Sequence, residues 1–338
     1  MMVDENYIKN NFSGKESFFA VSNQRCFFLE QLNNYEFGEL LYVESVVTMV
    51  VNFIGAIIAI SGNAVILLTF WKSSQLRSQS QLFIWCLAFA DFLTGSIVQP
   101  FYGAYKIAYM VGHSSASCVL RVIFETVAWF SAALSCSLVS SIIGERYLAL
   151  HYHMRYHDVI TKNKIVLYIV YLLVVTAILS LSRFTTTNVA SFLYINVCGL
   201  LLSLLTLLIC YWKIYKVVRR HFQQIRDHNS TRGSGQAAMD MQRFKKSVIN
   251  MAYVTVLYMI SYIPFTSVLF AYLCYGFTAN VEAAYDITRT IAFMNSSWNP
   301  FLYFWKIHEL REAVKKVLKR GDPSTLIESR TQTTRCKI

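Results

Sequence analysis

Seven apolar stretches, each long enough to cross a bilayer, occupy most of the chain, at residues 43–71, 81–104, 119–149, 165–183, 191–215, 247–273 and 284–305. A hydrocarbon core about 30 Å thick takes about 20 helical residues, so stretches of this length predict transmembrane helices. The expected fold class is an all-α membrane protein, a seven-transmembrane helix bundle. Residues Asn229 to Arg243 are too polar to span, so the count stays odd and the termini fall on opposite faces.

Charge patterning orients the bundle. Basic residues gather at Lys72 and Arg77, at Arg155, Lys162 and Lys164, at Lys213 to Arg220 with Arg243, Lys245 and Lys246, and at Lys306 to Arg320. Threading seven helices puts all four clusters on one side, which the positive-inside rule makes cytoplasmic. The first 40 residues carry more acids than bases and suit the outside, so a multi-pass plasma-membrane protein with its N-terminus outside and C-terminus cytoplasmic is expected. The net charge of +12 hugs helix ends without forming a continuous groove, which fits membrane lipid and no nucleic acid.

The expected organisation is an extracellular N-terminal segment over 1–42, the seven-helix domain over 43–305, an amphipathic helix over 306–320 and a disordered cytoplasmic tail over 321–338. Leu310, Val314 and Leu318 make one apolar face in the 306–320 segment, with basic residues elsewhere, as in a helix lying along the inner leaflet. No apolar run precedes residue 40, so the first span is expected to insert as its own anchor, and Asn11 heads a usable glycosylation sequon. Cys86, Cys136, Cys198 and Cys210 lie within spans and read as small packing residues. Cys26, Cys118 and Cys274 lie on or near the oxidising face, where one disulfide can join two of the three.

Polar residues inside the spans carry the functional signal. Asn63, Asp91, Ser135, Asn295, Ser296 and Asn299 lie at depths that can converge within one bundle. A carboxylate at Asp91 is costly in hydrocarbon unless it faces partners, water or a cation. One carboxylate with hydroxyl and amide oxygens suits a monovalent cation such as sodium better than a hard divalent one, so Asp91, Ser135, Asn295 and Ser296 form the candidate sodium site.

Gly62-Asn63-Ala64-Val65, Leu87-Ala88-Phe89-Ala90-Asp91, Glu145-Arg146-Tyr147 and Asn299-Pro300-Phe301-Leu302-Tyr303 occur in this order in the first, second, third and seventh spans. In that order and placement they resemble the class A, rhodopsin-like G protein-coupled receptors. The resemblance implies ligand-dependent nucleotide exchange on a heterotrimeric G protein, with no enzymatic chemistry by the chain itself. It makes Arg146 the principal relay, paired at rest with Glu145 and moving on activation toward Tyr211, Tyr303 and the G protein. Pro264 breaks the sixth helix and provides a pivot, with Tyr258 and Tyr262 beneath a ligand, although family members usually carry tryptophan at the position of Tyr262. The clamp acid that many relatives place about 20 residues before the sixth-span proline is replaced by Phe244, so the resting state depends on Glu145 and helix contacts. The Ser/Thr-rich tail implies a receptor kinase and arrestin as further partners.

Departures from the family narrow the expectation. Only Phe184 to Ser191 remain for the second outer loop, which holds no cysteine, and Ser203 stands where most relatives have a fifth-span proline. These traits resemble melanocortin receptors and their lipid, cannabinoid and nucleoside-binding relatives, and the segment after Tyr303 resembles adenosine receptors. Cys118 sits 28 residues before Arg146, about one helical turn higher than usual, where the N-terminal Cys26 can reach it.

Biogenic amine receptors carry an aspartate 18 residues before the third-span arginine, and Ala128 stands there. Opsins require a lysine where Phe293 stands, so covalent retinal is excluded and no cofactor is expected beyond sodium as an allosteric ligand. The remaining polar residues of the upper bundle are Arg121, Glu125, Asp286 and Arg289. Glu125 and Arg289, with Phe101, Tyr105 and Trp129, are the ligand-binding candidates. Two other readings remain: an ion or solute transporter or channel built around Asp91, and a heptahelical partner that does not couple. No inverted repeat or selectivity filter supports the first, and Arg146, Tyr211 and Tyr303 weigh against the second.

Overall fold

The computed structural model describes residues 39–72, 79–152, 156–185, 189–228, 235–276, 278–306, 311–312 and 314–315. These form an all-α bundle of seven long helices: α1 (Glu39–Lys72), α2 (Gln79–Leu93, continued through Thr94–Val98 and Gln99–Met110), α3 (Ser114–Tyr152), α4 (Lys162–Leu181), α5 (Val189–His228), α6 (Gly235–Tyr275) and α7 (Ala279–Lys306). Six of them contain segments long and apolar enough to cross a membrane. The seventh, α7, carries buried Glu282, Asp286 and Arg289 and packs against α1 and α6.

Each helix turns some apolar residues inward and others outward, as lipid-facing helices do. On α4, Ile165, Ile169 and Leu172 are buried, whereas Leu167, Tyr171, Val174 and Ile178 are exposed. The main core joins Leu87, Leu134, Leu138, Leu207, Tyr258 and Tyr262, so α2, α3, α5 and α6 share one interior.

Small residues let α1 approach its neighbours. A Cβ at Gly62 would lie 2.6 Å from Pro300 Cβ, and one at Gly95 would lie 2.8 Å from Ala59 Cβ. Gly95 belongs to a π-helical turn, Thr94–Val98, just before Pro100. Proline lacks an amide hydrogen and crowds the preceding turn, and the wider turn absorbs that conflict. Beyond it, Tyr102, Tyr105 and Lys106 all point into the bundle, where they are at most 3% exposed.

The link from α4 to α5 is as short as the sequence implies. A 3-10 turn at Ser182–Phe184 ends α4, and α5 begins at Val189. Cys118 at the start of α3 is disulfide-bonded, whereas Cys274 is a free, exposed thiol. Of the amphipathic eighth helix, residues 311–312 and 314–315 are described and are helical; Val314 is buried, and Lys315 pairs with Glu312 at 3.1 Å on the exposed side. Asn11, Cys26 and the 321–338 tail lie outside the described residues.

Candidate functional site

The end of the bundle that holds Glu44, Glu125 and Glu282 contains a buried ionic lattice, and this end is called upper below. Polar residues four apart stand on one face of α1, so Glu44, Thr48 and Asn52 all turn inward. Glu282, Asp286 and Arg289 repeat the pattern on α7 with spacings of four and three. Lys106 of α2 donates to Glu44 Oε2 at 3.2 Å and to Ser45 Oγ at 3.0 Å, and also pairs with Asp286. Arg121 of α3 donates from Nε to Glu125 Oε1 at 2.8 Å and from Nη1 to Tyr105 Oη at 3.2 Å, with Glu282 Oε1 at 3.9 Å. Arg289 pairs through Nη2 with Asp286 and places Nη1 3.6 Å from Glu125 Oε1. Four helices are thereby joined by charge. A buried charge is tolerable only when paired in this way.

Below the lattice lies a cavity of about 520 Å³, part of it open to the surroundings. Glu125 and Arg289 stand at its top, with Trp129, Phe265, Tyr285 and Phe293 as walls. Tyr262, Ser135 and Ser296 line its lower part. Of the sequence-based ligand candidates, Glu125, Trp129 and Arg289 face this cavity. Tyr105 is turned into the lattice through Arg121, and Phe101 packs against the separate cluster of Val98, Tyr102, Phe124 and Phe293.

The cavity floor adjoins the candidate cation residues. Asp91 is fully buried, and its Oδ2 accepts a hydrogen bond from Asn299 Nδ2 at 2.8 Å. Oδ1 is sealed with no donor at bonding distance among the described residues, and Ser296 stands alongside the carboxylate. Ser135, Asn295 and Ser296 are also buried, so the donors nearby are neutral oxygens. Asn63 donates to Ser296 O at 3.1 Å and ties α1 to this layer.

Toward the lower end, Tyr258 and Tyr262 stack with centroids 4.3 Å apart, both on α6 before Pro264. Pro300 interrupts α7 against Gly62, and Tyr303 is buried one turn further on. Arg146 lies with Nε 3.5 Å from Glu145 Oε2, and Glu145 Oε1 accepts from the Tyr156 hydroxyl. Tyr211 is half-buried on α5. Among the described residues, neither Tyr211 nor Tyr303 is hydrogen-bonded to Arg146.

Three partners were not legible as such in the sequence: Glu44, Lys106 and Glu282 sit near predicted span ends, where charges ordinarily reach water. The signal was the helical spacing of Glu44 with Thr48 and Asn52, and of Glu282 with Asp286 and Arg289, which marks one inward face. Tyr156 lies outside the sequence-based candidates, and the structure makes it the second partner of Glu145.

Residues 62–192 and 183–303 match the family described as 7 transmembrane receptor (rhodopsin family). The chain is similar to the Histamine H2 receptor of Cavia porcellus, at 26% identity over 282 residues that cover 77% of this chain and 76% of that protein. It is also similar to the Histamine H2 receptor of Canis lupus familiaris, at 26% identity over 284 residues covering 78% and 77%, respectively. The Trace amine-associated receptor 7a of Mus musculus is 24% identical over 349 residues covering 92% and 94%.

These relatives correct the expected kinship with melanocortin, lipid, cannabinoid and adenosine receptors. That expectation rested largely on missing features, a short loop, an absent clasp and an absent proline, and separate lineages can lose the same feature. Similarity spread over about three quarters of the chain or more is the stronger record. The chain belongs to the rhodopsin family of seven-transmembrane receptors.

Proposed function

We propose that this chain takes an extracellular ligand in the cavity beneath Glu125 and Arg289 and promotes nucleotide exchange on a heterotrimeric G protein. The observation that carries the reading is continuity. The cavity reaches from Glu125 and Arg289 to Tyr262, Ser135 and Ser296, beside the Asp91–Asn299 pair, and α7 continues through Pro300 and Tyr303 toward the Arg146 end. A ligand that shifts Tyr262 acts about half a turn from Pro264, where α6 lacks a backbone hydrogen bond and can pivot. Pivoting would open the lower cleft, release Arg146 from Glu145 and let it meet Tyr211, Tyr303 and the G protein.

The same reading places the N-terminus outside, because the basic clusters flank the other face. It assigns residues 1–42 to an extracellular segment, 43–305 to the signalling domain, 306–320 to the inner leaflet and 321–338 to a tail for a receptor kinase and arrestin. Asn11 would be the glycosylated residue and Cys26 the partner of Cys118, since Cys274 is free. Asp91, Ser135, Asn295 and Ser296 fit a sodium ion, which would supply a positive charge that neutralises the carboxylate in the resting receptor. The relatives named for histamine and trace amines favour a small ligand, but Ala128 offers no carboxylate at the position where amine receptors carry one.

The test is a G protein dissociation screen across the main Gα classes in cells expressing the receptor, with pooled small amines, amino acids, nucleosides, lipids and peptides. Dissociation by at least one pool, absent in mock-transfected cells, is expected. Silence across every pool and Gα class, including ligand-free activity, would contradict the assignment.

A further inference from the structure

The reading of the cavity as a ligand site underlies this inference, which names the chemical class of the ligand. Glu125 on α3 and Arg289 on α7 face the same cavity with opposite charges. Their 3.6 Å contact lies beyond ordinary N–H···O hydrogen-bond range. Arg289 is 2% exposed, yet its Nε and Nη1 find no hydrogen-bond acceptor among the described residues. The guanidinium carbon lies 4.7 Å, 5.1 Å and 4.9 Å from the ring centroids of Tyr102, Phe124 and Tyr285. Held among three rings, it is positioned to receive an acceptor from the cavity. On Glu125, both ionic contacts are made by Oε1, which leaves Oε2 for a donor from the cavity.

Charge balance selects between ligand classes. Among the described residues that line the cavity, Glu125 is the acid and Arg289 the base. Their formal charges cancel. A lone ammonium or a lone carboxylate entering here would add one uncompensated charge to a poorly solvated space. A molecule that carries both leaves the balance unchanged, and it replaces one long contact with two charge-assisted hydrogen bonds. Trp129, Phe265 and Phe293, with Ala128, Ala132 and Ala292, give the cavity apolar and aromatic walls between this charged pair and the hydroxyls of Ser135 and Ser296 below.

We propose that the ligand is a small zwitterion bearing an aromatic group, of the chemistry of an aromatic α-amino acid, with its carboxylate on Arg289 and its ammonium on Glu125. The relocation of the ligand-facing acid from the Ala128 position to Glu125, beside a partly unsatisfied arginine, turns an amine-receptor frame toward amino acids.

Matched triplets test this on full-length receptor in lipid nanodiscs: tryptophan, tryptamine and indole-3-propionate, with the corresponding histidine and tyrosine series. Binding is read by calorimetry and by the shift in melting temperature, without G protein. At least one amino acid is expected to bind 10-fold or more tightly than both its own amine and its own acid. Arg289→Gln should remove the preference over the amine, and Glu125→Gln the preference over the acid. Ala128→Asp removes no partner from the lattice and should move the preference at least 10-fold toward the amine. Amines binding as tightly as their parent amino acids, or no amino acid binding with this margin, would overturn the proposal. Nucleotide exchange is measured separately. An amino acid that binds with this margin but stimulates no exchange upholds the ligand class and removes the coupling reading, whereas exchange driven by the amines alone overturns the ligand class and keeps coupling.

Discussion

At the upper end of the bundle, Lys106, Arg121 and Arg289 each contact two carboxylates, whereas at the lower end Arg146 contacts one, Glu145. The upper bases are at most 3% exposed, while the Arg146 side chain is 37% exposed. The upper lattice over-determines the arrangement of α1, α2, α3 and α7, because each base contacts two acids and Asp286 and Glu125 are each shared by two bases. The lower pair can part at smaller cost, because water remains available to half-exposed Arg146 and the Tyr156 hydroxyl to Glu145. One end is therefore built to hold its shape. The other is built to change.

Breaking the upper lattice should have the largest effect. Asp286 serves both Lys106 and Arg289, and Asp286→Ala leaves two buried bases short of a partner. Removing one member of a buried pair costs about 3–5 kcal/mol, so this variant should show a sharp loss of surface expression and a lower melting temperature in detergent. Wild-type stability would remove the distinction between the two ends. Opening the Cys118 disulfide should come next, at about 2–4 kcal/mol. Peptide mapping under non-reducing conditions is expected to join Cys118 to Cys26, and a Cys118–Cys274 peptide would reverse the assignment.

Between the two ends, Asp91 should link the cavity floor to the switch. A cation at about 100 times its dissociation constant adds about 2.7 kcal/mol to the folded state. Sodium should therefore raise the melting temperature relative to N-methylglucamine, and Asp91→Asn should erase that difference while keeping side-chain volume. An equal sodium response in both proteins would leave Asp91 as a structural anchor. By linkage, sodium should also weaken agonist binding in the wild type alone. The smallest effect belongs to the lower end. Phe244→Glu supplies the missing clamp acid on α6, and a partly exposed pair is worth about 0.2–1 kcal/mol. Ligand-free signalling should fall by about fivefold at most at 1 kcal/mol, and an unchanged basal output would show that no clamp is lacking.

The sequence and the structure agree where long-range constraint is written locally. Apolar length made the seven helices legible, and the polar residues Asn63, Asp91, Ser296 and Asn299 marked a layer that the structure buries and joins. The contact between Asn299 and Asp91 joins residues 208 positions apart, and their matching depth within the spans anticipated it. The lattice was harder to read. Lys106 faces inward because the π turn before Pro100 rotates the end of α2, and no hydropathy pattern encodes that rotation. Glu125 and Arg289 were visible as polar residues in the upper bundle. Their joint cavity, and the rings that hold Arg289, required the helices to be placed. Kinship was misread for a related reason: a missing cysteine or proline is conspicuous, while identity diluted over the whole chain is not.

The central claim is that the loosely held Arg146 end passes the state of the receptor to a G protein. Its direct test is nucleotide exchange on purified heterotrimer by wild type and Arg146→Ala in nanodiscs, matched for folded receptor by melting curve and measured without ligand and with any ligand that the screen yields. Measurable ligand-free exchange by wild type, with loss of most of it in Arg146→Ala, is the expected result. Equal exchange by the two proteins would contradict the account.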